Sequence, residues 1–343
     1  MVSKRKTCFE EAQFKLAARP GLHATGERSK RSAMTANSPI RAVFPPKQTP
    51  AYADPLKREN VQAVFRFHQS VPGYQATPLY CLPELARHLG IKNIYVKDES
   101  FRFGLKAFKA LGATWAVAGI LCEKLGRPLT DIDFSSLKQA VSHLGDMVFV
   151  TATDGNHGRG LAWAAAQLGC RAEVYMPAGS AASRVQAIEN EGAKVWVTDK
   201  NYDDAVRMAA RAAKANGWHL VQDTAFEGYE TVPGWILQGY TTMAREVLEQ
   251  LGDRELALPT HLFLQAGVGS MAASVLGYYA NTLGDACPRT IIVEPDQADC
   301  MYRSALADDG TPRKVGGDLK TMMAGLACGE PNPFAWRILR DFA

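Results

Sequence analysis

No Cys-x-x-Cys pair occurs in the 343 residues, and the seven cysteines (Cys8, Cys81, Cys122, Cys170, Cys287, Cys300, Cys328) are scattered and odd in number. That pattern excludes a small disulfide-stapled fold and fits a reducing compartment, the cytoplasm. A charge of one sign is lacking as well. Residues 1–33 hold eight Lys/Arg against three Glu, leaving 31 basic against 32 acidic side chains in the rest. A body so balanced has no electrostatic footprint for nucleic acid. The longest charge-free run, 256–284, is broken by Pro259, His261, Gln265 and a Gly-Val-Gly-Ser turn, so it reads as strand, turn and helix, not as a membrane span. No internal repeat is visible and no metal site is expected. What remains is 47% hydrophobic and 22% charged, the composition of a globular core of about two domains.

Residues 1–40 lack sustained periodicity and are expected to form a disordered basic extension. Their bias weakly resembles a mitochondrial presequence, against which Glu10, Glu11 and Glu27 speak. From about residue 90, β-branched runs alternate with Ala-rich stretches. Strands are predicted at 93–97, 147–151, 171–176, 194–198, 218–222, 261–265 and 290–294. Helices are predicted at 107–121, 159–168, 183–191, 203–216, 237–251 and 270–281. Such alternation predicts an α/β fold with a parallel sheet covered on both faces, and it directs attention to the carboxyl ends of the strands.

Four strand-to-helix junctions carry candidate chemistry. In the first, Lys109 follows Asp98-Glu99-Ser100 and stands among Phe108, Ala110 and Leu111. A lysine at a helix start is disfavoured by the helix dipole, and desolvation there would lower its pKa and make it a Schiff-base nucleophile. Lys106 competes for the role. The second, Asp154-Gly155-Asn156-His157-Gly158, places an acid and glycines before a helix. Asp154 reads either as a helix cap or as a proton donor or acceptor, and His157 is given no catalytic role. The third contains Asp223, the acid nearest a strand end. The fourth, Gly267-Val268-Gly269-Ser270-Met271, lacks the third glycine of a dinucleotide fingerprint because Ala273 follows, but it can cradle a phosphate with backbone N–H groups, a hydroxyl and a helix dipole.

Together these junctions, with Asp223-Thr224-Ala225-Phe226-Glu227-Gly228-Tyr229, resemble the pyridoxal-phosphate enzymes of the tryptophan-synthase-β-like fold, and within that group the diaminopropionate ammonia-lyases. The resemblance covers roughly residues 40–343. It departs from the family pattern at Lys106, where Asn is expected, and at Phe226, where Trp is expected. What it implies is a fold of two parallel-sheet α/β domains with the cofactor, pyridoxal phosphate, in the cleft between them. The small domain would span 115–235, and 41–114 with 236–343 would form the large one. Lys109 would be the Schiff-base lysine, Asn156 would bond the cofactor's phenolic oxygen, and Gly267, Val268, Gly269, Ser270 and Met271 would hold its phosphate. Asp154 and Asp223 would be catalytic acids, Asp154 in place of the small or hydroxyl residue of serine and threonine dehydratases. The implied reaction is elimination of 2,3-diaminopropionate, D or L, to pyruvate and ammonia by a homodimer. The alternatives are a serine/threonine dehydratase and an inactive remnant, since relatives continue beyond the motif ending at Glu330. The same resemblance implies that part of the large domain, with the partner of the pyridine nitrogen, lies beyond Ala343.

Overall fold

The computed structural model describes residues 40–43, 56 and 58–343, without 154 and 227. The basic arm predicted for 1–40 therefore lies, Ile40 aside, outside the described residues, and so does Asp154. The chain runs α1 (Arg58–Ser70), β1 (Leu79–Cys81), α2 (Pro83–Leu89), β2 (Tyr95–Lys97), a 3₁₀ segment (Glu99–Gly104), α3 (Lys109–Leu125) and α4 (Phe134–Val141). It continues through β3 (Val148–Ala152), α5 (Asn156–Gln167), β4 (Arg171–Met176), α6 (Ala182–Glu189), β5 (Lys194–Val197), α7 (Tyr202–Asn216) and β6 (His219–Leu220). Then follow α8 (Thr231–Asp253), β7 (His261–Gln265), α9 (Ser270–Leu283), β8 (Arg289–Val293), α10 (Cys300–Ala307) and α11 (Pro333–Phe342).

Strands β5-β4-β3-β6, in that order, form a parallel sheet, and β7 pairs β8 in parallel. All five residues of β3 are buried, as a central parallel strand covered on both faces requires. The segment predicted at 93–97 behaves differently: β2 pairs antiparallel with β1, Leu79 opposite Lys97. Sequence pattern marks an extended segment but not its partner, and β1 itself, three residues between Pro78 and Pro83, is too short to show a period. Helix α8 starts at Thr231 rather than at 237. Pro233 looks like a breaker, yet in a first turn its missing N–H has no intrahelical acceptor to lose. On β7 and β8, Phe263 and Val293 remain exposed. No helix among the described residues is long and apolar enough to cross a membrane.

Helix α3 is the centre of the packing. Every residue from Ala110 to Cys122 is buried, so its sequence is apolar all round and not amphipathic. Neighbouring helices approach at backbone distance where glycines meet. A Cβ on Gly239 of α8 would stand 2.5 Å from the Leu111 carbonyl, and one on Gly160 of α5 would stand 2.9 Å from the Ala110 nitrogen. These glycines fix α5 and α8 against the first turn of α3, where Lys109 begins the helix.

Candidate active site

The loop before Lys109 is anchored by a buried ion cluster. The Arg102 guanidinium, 1% exposed, donates to both carboxylate oxygens of Glu246 on α8 (2.7 and 2.8 Å) and to both of Glu99 (2.9 and 2.8 Å). Two forked pairs of this kind fix orientation as well as charge. Beyond them the chain passes through left-handed conformations at Phe103 (φ 48°) and Lys106 (φ 58°), which leave Lys106 exposed and Lys109 turned inward.

The Lys109 ammonium donates to Asp223 Oδ2 at 2.7 Å, with side-chain exposures of 21% and 10%. The desolvation expected from the sequence is present, but the predicted lowering of the lysine is not. Burial alone would lower the amine; the Asp223 carboxylate outweighs it and holds Lys109 above its ordinary range. Conversely, burial would raise Asp223, and the lysine charge brings it down to about 2. The unperturbed pair is thus an ammonium carboxylate.

Asp223 is placed by the ends of two parallel strands. Its neighbour Gln222 accepts at Oε1 from the Thr151 hydroxyl (2.9 Å) and the Ala152 N–H (3.1 Å), tying β6 to β3. The Gln222 N–H donates to the Tyr229 hydroxyl at 2.8 Å. His157 on α5 shares a hydrogen bond between Nε2 and the Val221 carbonyl at 2.8 Å, which ties α5 to the segment before Asp223. Asn156, the first residue of α5, is exposed.

The glycine loop reaches the same point. Gly269, at φ 93°, takes a left-handed turn into α9, whose first N–H groups have no intrahelical acceptor. A Cβ on Gly267 would meet Cys328 Sγ at 3.1 Å and the Gly325 carbonyl at 3.3 Å, so only glycine leaves the loop open. The Ser270 hydroxyl donates to the Asp223 carbonyl at 3.1 Å and accepts from Asn332 Nδ2 at 3.1 Å. Its one proton is used within the protein, and what the loop offers an anion is backbone N–H and the helix dipole. Asn332, fully buried, also donates its N–H to the Val268 carbonyl at 2.8 Å. Thus Lys109, Asp223 and the loop 267–271 come together.

Sequence reasoning missed three residues here. Asn332 looks like an ordinary helix cap, which it also is, accepting from the Phe334 N–H at 3.0 Å. Cys328 carries no motif signal beyond its Gly-Leu-Ala-Cys-Gly setting. Tyr240 lies in the middle of an apolar helix; its ring packs edge-on to Phe108 at 5.0 Å, with the Lys109 ammonium 5.8 Å from its centroid. Among the described residues no group of three His, Cys, Asp or Glu side chains could hold a metal ion. An amine, a carboxylate and an open glycine loop at a helix start do fit a cofactor bearing both an aldehyde and a phosphate.

Residues 71–343 match the protein family described as pyridoxal-phosphate dependent enzyme. The diaminopropionate ammonia-lyase of Salmonella typhimurium is 53% identical over 280 residues, 81% of this chain and 69% of that protein. The enzyme of the same name from Escherichia coli is 54% identical over 279 residues, with the same two coverages. A crystal structure of the holo form of the Escherichia coli enzyme aligns with TM-score 0.80 at 50% identity, covering 85% of this chain and 72% of that one. Its complex with D-serine aligns equally well, at 49% identity over 86% and 73%.

Proposed function

The chain belongs to the pyridoxal-phosphate-dependent enzymes, and from that premise we propose that it eliminates ammonia from 2,3-diaminopropionate, the D isomer, the L isomer or both, with hydrolysis of the product to pyruvate and a second ammonia. The observation that carries the reading is a buried carboxylate, Asp223, 2.7 Å from the Lys109 amine and one loop from an anion cradle. When bound, pyridoxal phosphate supplies an electron sink that acidifies the Cα–H of the amino acid joined to it.

The remaining work falls to side chains. In this reading Lys109 holds the cofactor and takes the Cα proton of the L isomer on one face, while Asp154 takes that of the D isomer on the other. Gly267, Val268, Gly269, Ser270 and Met271 receive the phosphate on backbone N–H groups, and Asn156 bonds the phenolic oxygen. Asp223 hands a proton to the departing nitrogen, which leaves poorly unless protonated. Its environment supplies the means: the lysine charge holds its pKa down, and burial opposes that. Once the Lys109 nitrogen is no longer a cation, burial prevails and the carboxyl gains a proton to give.

Residues 115–235, which contain the four-stranded sheet, would be the small domain, and 41–114 with 236–343 the large one. The working unit would be a homodimer, measurable by light scattering. The test of function is pyruvate release from D- and L-diaminopropionate by cofactor-saturated protein, with D-serine, L-serine and L-threonine alongside. Asp154→Asn should suppress the D reaction far more than the L reaction, and Asp223→Asn should impair both. Turnover of the hydroxy amino acids without diaminopropionate would refute the reading.

A further inference from the structure

Strands β7 and β8 end side by side, with Gln265 opposite Val293, and the Ala266 N–H donates to the Val293 carbonyl at 2.9 Å. Glu294, the next residue after β8, therefore comes level with the loop that opens at Gly267 on the neighbouring strand, and adjacent strands lie about 5 Å apart. Its half-buried carboxylate caps α10 from outside that helix. Asp299, at the N-cap position, makes no side-chain cap bond, whereas the Met301 and Tyr302 N–H groups donate to the two Glu294 oxygens at 2.8 and 2.7 Å. The first turn of α10 in turn backs the anion loop. Cys300 Sγ donates to the Gly267 carbonyl at 3.6 Å, and a Cβ on Gly269 would come within 2.5 Å of Met301 Cε. A carboxylate thus stands behind a loop suited to phosphate, and that loop, Gly267-Val268-Gly269-Ser270-Met271, contains no cation to balance the two charges.

We propose that Glu294 is the charge-balancing residue of the anion cradle, taking up a proton from solvent as the phosphate of the cofactor binds. The inference deepens the reading of loop 267–271 as the phosphate cradle and rests on it. A second negative charge close by disfavours an ionised carboxylate, which responds by binding a proton. Glu294 is poised to do so. Burial pushes its carboxyl up to about 7, against the two N–H groups that pull it down, so near neutral pH both of its charge states are populated. Once protonated it loses its charge and keeps acceptor capacity for α10. The ionisable groups around it do not take its place. Burial holds the Cys300 thiol on α10 far above the ordinary thiol range, and Cys328, from the segment before α11, faces Cys300. The Asp299 carboxylate adds to the upward push on Glu294 and has Arg303 as its partner at 3.2 Å, while the Lys109 charge is paired with Asp223. Binding that takes up a proton weakens as pH rises through the titration of that group.

The test compares the full wild-type chain with Glu294→Gln, neutral at every pH, in absorbance titrations with pyridoxal phosphate between pH 6 and 8.5. The phosphate and Lys109 titrate in both proteins and cancel in the ratio of the two dissociation constants. That ratio, wild type over variant, should rise at least about threefold across the range, equivalent to half a pH unit of upward shift at Glu294 on binding. With pyridoxal, which has the aldehyde and lacks the phosphate, it should stay level. A weakened cap on α10 changes the variant's constant by the same factor at every pH and leaves the slope untouched, so a merely structural role for Glu294 gives a level ratio. Glu294→Met, neutral and without polar atoms, should show the same slope and replaces the glutamine variant if that one folds poorly. A level ratio with pyridoxal phosphate would overturn the proposal, and so would an equal rise with pyridoxal. Protein that binds no pyridoxal phosphate at any pH would refute the cradle reading and this inference together. Binding with the rising ratio but without pyruvate release would refute the proposed function alone.

Discussion

Replacing Lys109 by Met removes the ammonium but keeps most of the side-chain volume, and the consequence follows from its contact with Asp223. At 2.7 Å and an effective dielectric constant of about 20, two unit charges attract by about 6 kcal/mol before the cost of desolvating them. Stripping one partner from a buried pair costs about 3–5 kcal/mol, because the other is left uncompensated. At roughly 2–4 °C per kcal/mol, Lys109→Met should melt about 10 °C lower than wild type at pH 8, measured by calorimetry without cofactor. The pH dependence is more telling. In the wild type Asp223 is depressed from 3.8 to about 2, so its contribution is complete above about pH 4 and is lost only as pH falls toward 2. In the variant the lysine charge is gone and burial raises Asp223 instead. A raised carboxyl penalises folding progressively as pH climbs above its unfolded value of 3.8. Lys109→Met should therefore be more stable at pH 5 than at pH 8, and adding Asp223→Asn should restore most of the loss. A variant that melts like wild type at both pH values, or a double variant no better than the single one, would refute the charge argument.

Three further outcomes follow from the same geometry. Gly160→Ala should destabilise by about 1–3 kcal/mol and weaken cofactor binding, because its Cβ would meet the backbone of Ala110 at 2.9 Å and nothing there can rotate away; a denaturant melt and an absorbance titration with pyridoxal phosphate check both. Arg102→Met leaves Glu99 and Glu246 without their shared cation and should cost about 3–5 kcal/mol, whereas the same change at the exposed Lys106 should leave a melt unmoved. Asn332→Ala should weaken capture of the cofactor, since it removes the side-chain amide that donates to the Ser270 hydroxyl and to the Asp223 carbonyl while leaving the backbone tie to Val268; binding equal to wild type would show that the cradle holds without that amide.

The elements that follow the strand–helix alternation were legible because their physics is local. β4 and β7 match the predicted bounds residue for residue, and Lys109 opens its helix within two positions of the predicted start. The reading failed where the signal is non-local or is hidden by a rule with exceptions. Helices α1 and α2 and strand β1 lie upstream of the alternation, and their places are set by partners far along the chain, such as Glu246 for the Tyr74 hydroxyl at 2.8 Å. Tyr240 shows the limit most clearly. On its own helix it is one more apolar residue, and only the approach of Gly112, more than a hundred positions earlier, seats its ring beside Lys109.

Asp223 has a similar double character. Its type and its place after a strand were readable, and they explain the side chain that holds Lys109. Its carbonyl was not readable, and that carbonyl accepts from Ser270 and, at 3.4 Å, from Asn332. One residue therefore joins the lysine to the anion loop, side chain toward one and main chain toward the other. The first turn of α9 and the Lys109 amine therefore act on the same residue, through its carbonyl and its carboxylate respectively.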